Sequence, residues 1–496
     1  MKTTQKHPDW ALKHKKPGTE LKLINGRYYL YGVKSVYDKT IGRSRKVSLG
    51  ILGSITKEKG FIPSEKNELK KKSKMSYFAK QVMIFEYGLA KWLMDELENS
   101  GVLNSLKEHF PNHWKFIVFM VYCRIGYQSP LKNIPFHLEN SFILDILEWH
   151  EKVYDAKISD YLFELGQMSN SIHDFMRPKD KKRRTILIDA TDIVLQSSNI
   201  ALSQKGYNSN MDFQPQFVLL YLYDALTLEP IYYRSIPGNI REVSAMKNIV
   251  VMSGLEECTY VGDKGFFSQT NVEQLENMHL QYIIPLKRDN KLIPYELLEE
   301  IEQSNNYFKF SNRFIFYADT KSLENRKIEL FLDGKLKEQE KTDYLSRIES
   351  LPENYSKPKF NEIVHVMGTL AIMHNTEMKP QDIYVEYKNR GNIEQFFDHF
   401  KNTIEADCSH MQREESLNGW LFINHVSMMM IYKLFQILKT TPLNKKQNLI
   451  HHYSINDAID HLKTIKKIKF DYDKYVTSEI NKSTKTLLKQ MKISIT

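Results

Sequence analysis

Between residues 184 and 287 the chain alternates short apolar runs with helical patterns in the order β-β-β-α-β-α-β, and this order limits the fold more than any other feature. The runs are TILIDATDIVL, PQFVLLYLYDA and EPIYYRSIPGN, then a helical pattern over about 241–254, the strand TYVG, the helix SQTNVEQLENMH and the strand LQYIIPLK. The second and third runs lie close enough to pair as a hairpin. A first strand and a later one joined across a helix lie parallel with a right-handed crossover, and the carboxyl ends of such strands form the site crevice of an α/β sheet. Two aspartates stand at those ends, Asp189 inside ILIDAT and Asp263 directly after YVG. Either alone also fits a turn residue or a helix cap. As a pair in this topology, they point to one shared site.

The segment YKNRGNIEQFFDHFKN carries Tyr387, Arg390, Glu394 and Lys401. At about 100° per residue, the other three fall within roughly 40° of Glu394 on one helical stripe. Ile393, Phe397, Phe400 and Ile404 lie to one side of it, giving an apolar face beside a charged one. Gly391 offers a second reading, in which the helix begins there and Tyr387 and Arg390 belong to the preceding turn. A plain surface helix with a weak Arg390–Glu394 ion pair would share part of this pattern; the coincidence of four spacings favours a site.

Elsewhere the chain divides by composition. Residues 20–52 alternate apolar and polar around an Asn25-Gly26 turn and predict a small β module. Residues 63–74 read as a Lys-rich linker, 76–175 carry helical periodicity, and 178–184 mark the next boundary. From about 287 to 381 strand-like runs (YFKF, RFIFYA, KIELFL, IVHVMGTLAIMH) sit between charged loops such as 335–344, which predicts a β-rich insertion. The formal net charge is +10, with basic blocks at 70–72, 181–184 and 466–467. That suits a polyanionic partner, although Lys-rich stretches also serve as solvated helix faces. Cys123, Cys258 and Cys408 lack CxxC spacing, so neither a zinc site nor a redox pair is expected and a reduced compartment is. The start, MKTTQKHPDW, has no apolar h-region, and no signal peptide is expected. Residues 420–438 are apolar but interrupted by Asn424, His425, Ser427, Lys433 and Gln436, as in a buried core helix rather than a membrane span.

The order Asp-Ala-Thr, Gly-Asp-Lys-Gly-Phe, Tyr-Arg-Glu-Lys resembles the DDE transposases of bacterial insertion sequences, in the group named for its Tyr-Arg-Glu-Lys signature. The resemblance covers about residues 184–435, with lesser matches at Gly206-Tyr207, Pro237-Gly238-Asn239, Ser268 and Asn271. It implies a multidomain α/β protein: an RNase H-like catalytic core (a mixed sheet, then the catalytic helix) with a β-rich insertion, preceded by a small β module and a helical domain. The boundaries expected are 1–62 (β module), 76–178 (helical, DNA-binding by analogy), 184–287 and 382–438 (core), 288–381 (insertion) and 439–496 (basic, helical). It implies Asp189, Asp263 and Glu394 as catalytic, metal-binding carboxylates for two divalent ions, Mg²⁺ or alternatively Mn²⁺. Tyr387, Arg390 and Lys401 would contact DNA or phosphate, as would Lys264 beside Asp263. The implied partners are double-stranded DNA, both transposon terminal inverted repeats and target, and a second copy of the chain on that DNA. No membrane partner is expected, and the implied location is the bacterial cytoplasm, at the nucleoid. The implied activity is metal-dependent strand cleavage followed by 3′-OH strand transfer. Two other readings stay open: an RNase H-like nuclease or resolvase that never joins strands, and a non-catalytic DNA-binding descendant of a transposase.

Overall fold

A computed structural model describes residues 7–38, 42–64, 82–179, 184–197, 199–206, 214–227, 229–239, 242–319, 326–470 and 474–495. The basic block at 70–72, most of the 63–74 linker, residues 181–183 of the second basic block, Tyr207 and the expected helix start at 241 lie outside the described residues. The chain forms two compact units, Met1–Ile84 with Ile468–Val476, and Phe85–Lys467 with Thr477–Thr496.

In the first unit β1 (Thr19–Ile24), β2 (Arg27–Asp38), β3 (Arg43–Thr56) and β4 (Gly60–Pro63) form an antiparallel sheet in sequence order. Asn25 and Gly26 join β1 to β2 with φ of 49° and 76°. Positive φ at both central positions is the primed turn whose twist matches its strands. Ala11, Leu21, Leu30 and Ile55 make the small core, with Trp10, Tyr28, Leu52 and Phe61 packed on it.

The second unit opens with helices α1 (Gly88–Asn99), α2 (Val102–His109), α3 (Trp114–Tyr127), α4 (Asp155–Gln167) and α5 (Ser169–Met176). Every residue of α3 from Phe116 to Gly126 is buried, as suits a helix apolar on all sides. A mixed sheet follows, from β5 (Arg184–Leu195), β6 (Gln204–Lys205), β7 (Pro215–Asp224), β8 (Pro230–Pro237), β9 (Cys258–Val261) and β10 (Gln281–Pro285), with α6 (Glu242–Ser253) and α7 (Gln269–Asn277) between. Strands β11 (Tyr307–Phe310), β12 (Arg313–Asp319), β13 (Lys327–Asp333) and β14 (Thr369–His374) extend it. The order is β11-β12-β13-β14-β10-β9-β5-β7-β6, with β8 beside β7 and the short β15 (Cys408–Ser409) beside β5. Among the described residues, the β5–β9, β9–β10 and β5–β15 pairs are parallel and the other pairs of this sheet are antiparallel.

The strands within residues 288–381 therefore do not build a sheet of their own. They continue the main one, because β14 pairs with β13 on one side and β10 on the other. The stretch 335–344, expected as a charged loop, is instead part of α8 (Gly334–Ser350). Asp333 caps it by accepting from the Leu336 N–H at 3.0 Å, and none of its residues is buried. With only Leu336, Tyr344, Leu345 and Ile348 apolar in its 17 residues, the helix has little apolar period to read.

Helix α9 (Pro380–Lys388), helix α10 (Gly391–Asp398) and the long α11 (Glu414–Thr440) follow in the same unit, before the helical segments Ile455–Lys463 and Lys482–Met491. By length and hydropathy alone α11 could cross a membrane, but most of its apolar window is buried inside the protein. It meets α4 backbone to backbone: a Cβ on Gly419 would fall 2.3 Å from the Leu162 carbonyl oxygen, and one on Gly166 only 1.6 Å from that of Glu415. Gly419→Ala is therefore expected to lower unfolding free energy by about 3 kcal/mol in urea titration, the scale of an overpacked core. Gly334→Ala, with nothing within 4 Å of the added carbon, should leave it nearly unchanged.

Candidate active site

Strand register fixes the two aspartates. Parallel strands β5 and β9 pair Leu187 with Val261, and each aspartate follows its member of that pair by two residues, Asp189 within β5 and Asp263 just beyond the end of β9. Adjacent strands run about 4.8 Å apart. Beyond Val261 the chain leaves the ladder: the Gly262 N–H donates to the Ile283 carbonyl at 3.2 Å, and Asp263 enters a tight 3₁₀ turn, Lys264–Phe266, anchored by buried Phe266. Asp263 thus stands at the strand end, while Asp189 lies inside the longer β5.

The third carboxylate comes from α10, whose Ile393, Phe396 and Phe397 are buried. The Phe396 ring lies 4.6 Å from that of Tyr221, and Tyr221 is the cross-strand partner of Asp189. That contact docks the helix over the strand position bearing the aspartate and brings Glu394 to the same place. Tyr221 is itself held by a short hydrogen bond to His425 Nδ1. Burial pushes the His425 imidazole down to about 3, so it is neutral.

Arg390 sits among the three carboxylates. Its Nη1 is 3.2 Å from Asp189 Oδ2, and its Nη2 is 2.6 Å from Glu394 Oε1 and 3.9 Å from Asp263 Oδ1. Burial opposes the guanidinium charge, but Asp263, Asp189 and Glu394 outweigh it and raise its pKa. For Asp189, burial is the largest influence and pushes the carboxyl up to about 6 from an ordinary 3.8; the Ala190 N–H, donating at 2.9 Å, and Arg390 pull it back, while Asp263 and Glu394 add to the rise. Tyr387 belongs to the same cluster: burial raises its phenol, and Arg390, Asp263 and Glu394 all act on it.

The helix bearing these residues is not continuous. Helix α9 stops at Lys388, the Arg390 N–H bonds back only to the Tyr387 carbonyl, and α10 begins at Gly391. After α10 a π-turn, His399–Thr403, widens the winding, so Lys401 does not keep the angular position an unbroken α-helix would give it. The carboxylates acting on Lys401 are Asp192 and Asp407; burial lowers its pKa and they partly restore it. Lys264 is exposed on the turn after Asp263. The structure therefore brings together Asp189, Asp263, Glu394, Arg390 and Tyr387, and sets Lys401 in a different carboxylate environment. Sequence reading missed Asp192 and Asp407 as those neighbours; Asp192 was visible in the Asp-Ala-Thr-Asp run, but nothing local pairs it with a lysine two hundred residues away. The lesser matches Gly206 and Gly238 abut, since a Cβ on Gly206 would lie 2.1 Å from the Gly238 carbonyl oxygen.

Three carboxylates supply the hard oxygen donors that Mg²⁺ or Mn²⁺ prefers, so the donor chemistry fits a divalent ion. Among the described residues, however, no three His, Cys, Asp or Glu groups are close enough to hold one ion. The guanidinium takes that central place.

The Transposase DDE domain family matches residues 180–430, half of the chain, which therefore belongs to that family. No curated protein matches it by sequence. Among solved structures, the piggyBac transposase in its synaptic complex with hairpin DNA aligns over 70% of this chain and 69% of that one, at 10% identity and a TM-score of 0.36, a likeness too weak to bear on the fold.

Because Asp189 holds its proton more tightly folded than unfolded, its contribution to stability is full below about pH 4 and is lost as pH rises to about 6. Without added metal, Asp189→Asn should then raise unfolding free energy at pH 7, on the order of 2 kcal/mol by denaturant titration, with the gain fading toward pH 4. An unchanged or lowered value at pH 7 would mean that the buried carboxylate is not the liability its surroundings imply.

Proposed function

We propose that the chain is the DNA transposase of a bacterial insertion sequence of the Tyr-Arg-Glu-Lys group, with Asp189, Asp263 and Glu394 as its reactive centre. The observation carrying this reading is the convergence of three carboxylates, from two register-matched strands and a helix, on Arg390. The strand order β8-β7-β5-β9-β10, three antiparallel strands and then two parallel to the first, supports an RNase H-like core. Family membership supports DNA as the substrate.

In this reading Asp189, Asp263 and Glu394 hold divalent cations, Mg²⁺ or Mn²⁺, which when bound supply Lewis acidity toward the phosphoryl oxygens. The protein's own groups do the rest. Arg390 has a planar fork suited to a phosphate; in the structure it faces carboxylates, and a scissile phosphodiester gives it another anionic partner. Tyr387, packed beside it, bonds or stacks at the DNA end. Water attacks phosphorus, the P–O3′ bond breaks, and a 3′-hydroxyl is freed; that hydroxyl then attacks a phosphorus of target DNA, whose own P–O3′ bond breaks to release a target 3′-hydroxyl, and the strands are joined. Both steps are in-line displacements at one centre, and neither needs a covalent protein intermediate. The partners are terminal inverted repeats and target duplex, gripped by two copies of the chain, in the bacterial cytoplasm.

Purified protein on labelled DNA carrying the element's ends, with Mg²⁺ or Mn²⁺, should cleave and join. Glu394→Gln and Asp263→Asn should each lose about 100-fold or more of both reactions while still binding the ends, the scale expected when metal-linked transition-state stabilisation is removed. Cleavage without joining in both metals would favour the hydrolytic nuclease instead, and binding without cleavage the non-catalytic DNA-binding protein. Arg390→Ala tests the guanidinium separately: with the positive charge gone from among three carboxylates, Mn²⁺ should raise the melting temperature of the DNA-free variant more than that of wild type. An equal or smaller rise would show that Arg390 does not compete with the ion.

A further inference from the structure

The N-terminal β module lies outside residues 180–430, the part the transposase family matches. Its sheet is uneven. Strand β1 pairs only with residues 27–32 of β2, and β4 only with residues 53–56 of β3. The outer halves, residues 33–38 and 43–48, pair with each other from Val33–Ser48 to Asp38–Arg43. Among the described residues of the sheet no further strand flanks them. Register shifts at Leu30/Tyr31 and Gly32/Val33 mark where the sheet gives way to this ribbon, and bulges there sharpen the local twist.

A two-stranded ribbon lacks a core of its own and is marginal alone in water. In this one every residue from 43 to 51 is exposed to solvent, and so are residues 34–37. Over 33–38 and 42–51 the sequence carries Lys34, Arg43, Arg45 and Lys46 against the single acid Asp38. Lys34 lies opposite Val47, Val36 opposite Arg45 and Asp38 opposite Arg43. Since directly paired residues share a face, Lys34, Arg45 and Arg43 line one side, with Lys46 on the other.

We propose that this ribbon is a DNA-binding arm that lays its basic face into a groove of duplex DNA. A two-stranded ribbon is one of the two elements the major groove admits, and six residue pairs at about 3.3 Å each span roughly 20 Å of it. The charge is complementary to the phosphate backbone. Exposed Val36 and Val47 beside the cations are suited to thymine methyl groups. Pairing with the ribbon of a second copy is disfavoured, because cations along open edges are what keep strands from joining edge to edge. The inference rests on DNA as this protein's substrate, but it concerns a different surface from the three carboxylates.

The test uses the full chain and fluorescence anisotropy on two labelled duplexes, one carrying the element's terminal sequence and one scrambled. The variant combines Lys34→Gln, Arg43→Gln, Arg45→Gln and Lys46→Gln. Its control, Lys57→Gln with Lys59→Gln, removes exposed charges from the β3–β4 turn of the same module. The arm variant should bind about tenfold more weakly or worse, and its salt dependence should flatten by about 0.9 for each phosphate it no longer neutralises. The control should stay within about twofold of wild type. Single Lys34→Gln and Arg43→Gln variants should move the same way, which guards against misfolding of the fourfold variant. Unchanged affinity and slope in all arm variants would overturn the proposal, as would loss of concentration-dependent self-association with DNA binding intact, which would assign the arm to a second copy. Glu394→Gln keeps the arm, so lost cleavage with retained binding separates the fate of the catalytic reading from that of this one.

Discussion

The parallel pairing of β5 with β9 is the constraint from which the rest of the site follows. Leu187 opposite Val261 brings the end of β9, and with it Asp263, beside the part of β5 that bears Asp189; a slip of one residue would turn one carboxylate to the other face of the sheet. The same β5 pairs on its other side with β7, and there Asp189 meets Tyr221. Tyr221 in turn receives Phe396 and so fixes α10. One strand therefore positions both neighbouring carboxylates, the second by backbone pairing and the third through a ring packed against its cross-strand partner.

Bringing three carboxylates together is costly, and the protein offsets the cost with one cation. Arg390 reaches all three, yet the balance is incomplete, since burial and like charge still leave Asp189 raised to about 6. Such residual strain is expected where a site is built for a task and not for stability. Local backbone irregularity serves the same end. The break between α9 and α10 falls at the residues that carry the guanidinium, and the π-turn after α10 redirects Lys401 toward Asp192 and Asp407.

Seven of the eight elements from β5 to β10 were legible because each carries an apolar run or stripe bounded by turn residues: the run TILIDATDIVL became Arg184–Leu195 and TYVG became Cys258–Val261; the two-residue β6 was not. Helix α8 was not legible, because a helix with no buried residue needs few apolar side chains and shows little apolar stripe. That β11 to β14 join the main sheet was not legible either, since periodicity reports that a strand exists and is silent about its neighbour. Within the site the two aspartates and Glu394 could be read as candidates, and Tyr387 and Arg390 with them from spacing. Lys401 could not be placed, because helical-wheel arithmetic assumes unbroken α winding and the chain does not supply it.

The sequence by itself determined the alternation of apolar strands and helices from β5 to β10, the presence of two aspartates on or just after strands and a glutamate on a helix, and membership of the Transposase DDE domain family. Only the tertiary structure decided that Arg390 would lie among those carboxylates, that Lys401 would face a different pair, and that the outer halves of β2 and β3 would stand exposed, with no further strand beside them among the described residues. The reason is physical. Period and composition are local properties, set by a few consecutive residues, whereas register, helix docking and the sharing of charge depend on groups tens to hundreds of residues apart, whose meeting is fixed by burial and hydrogen bonding across the whole unit.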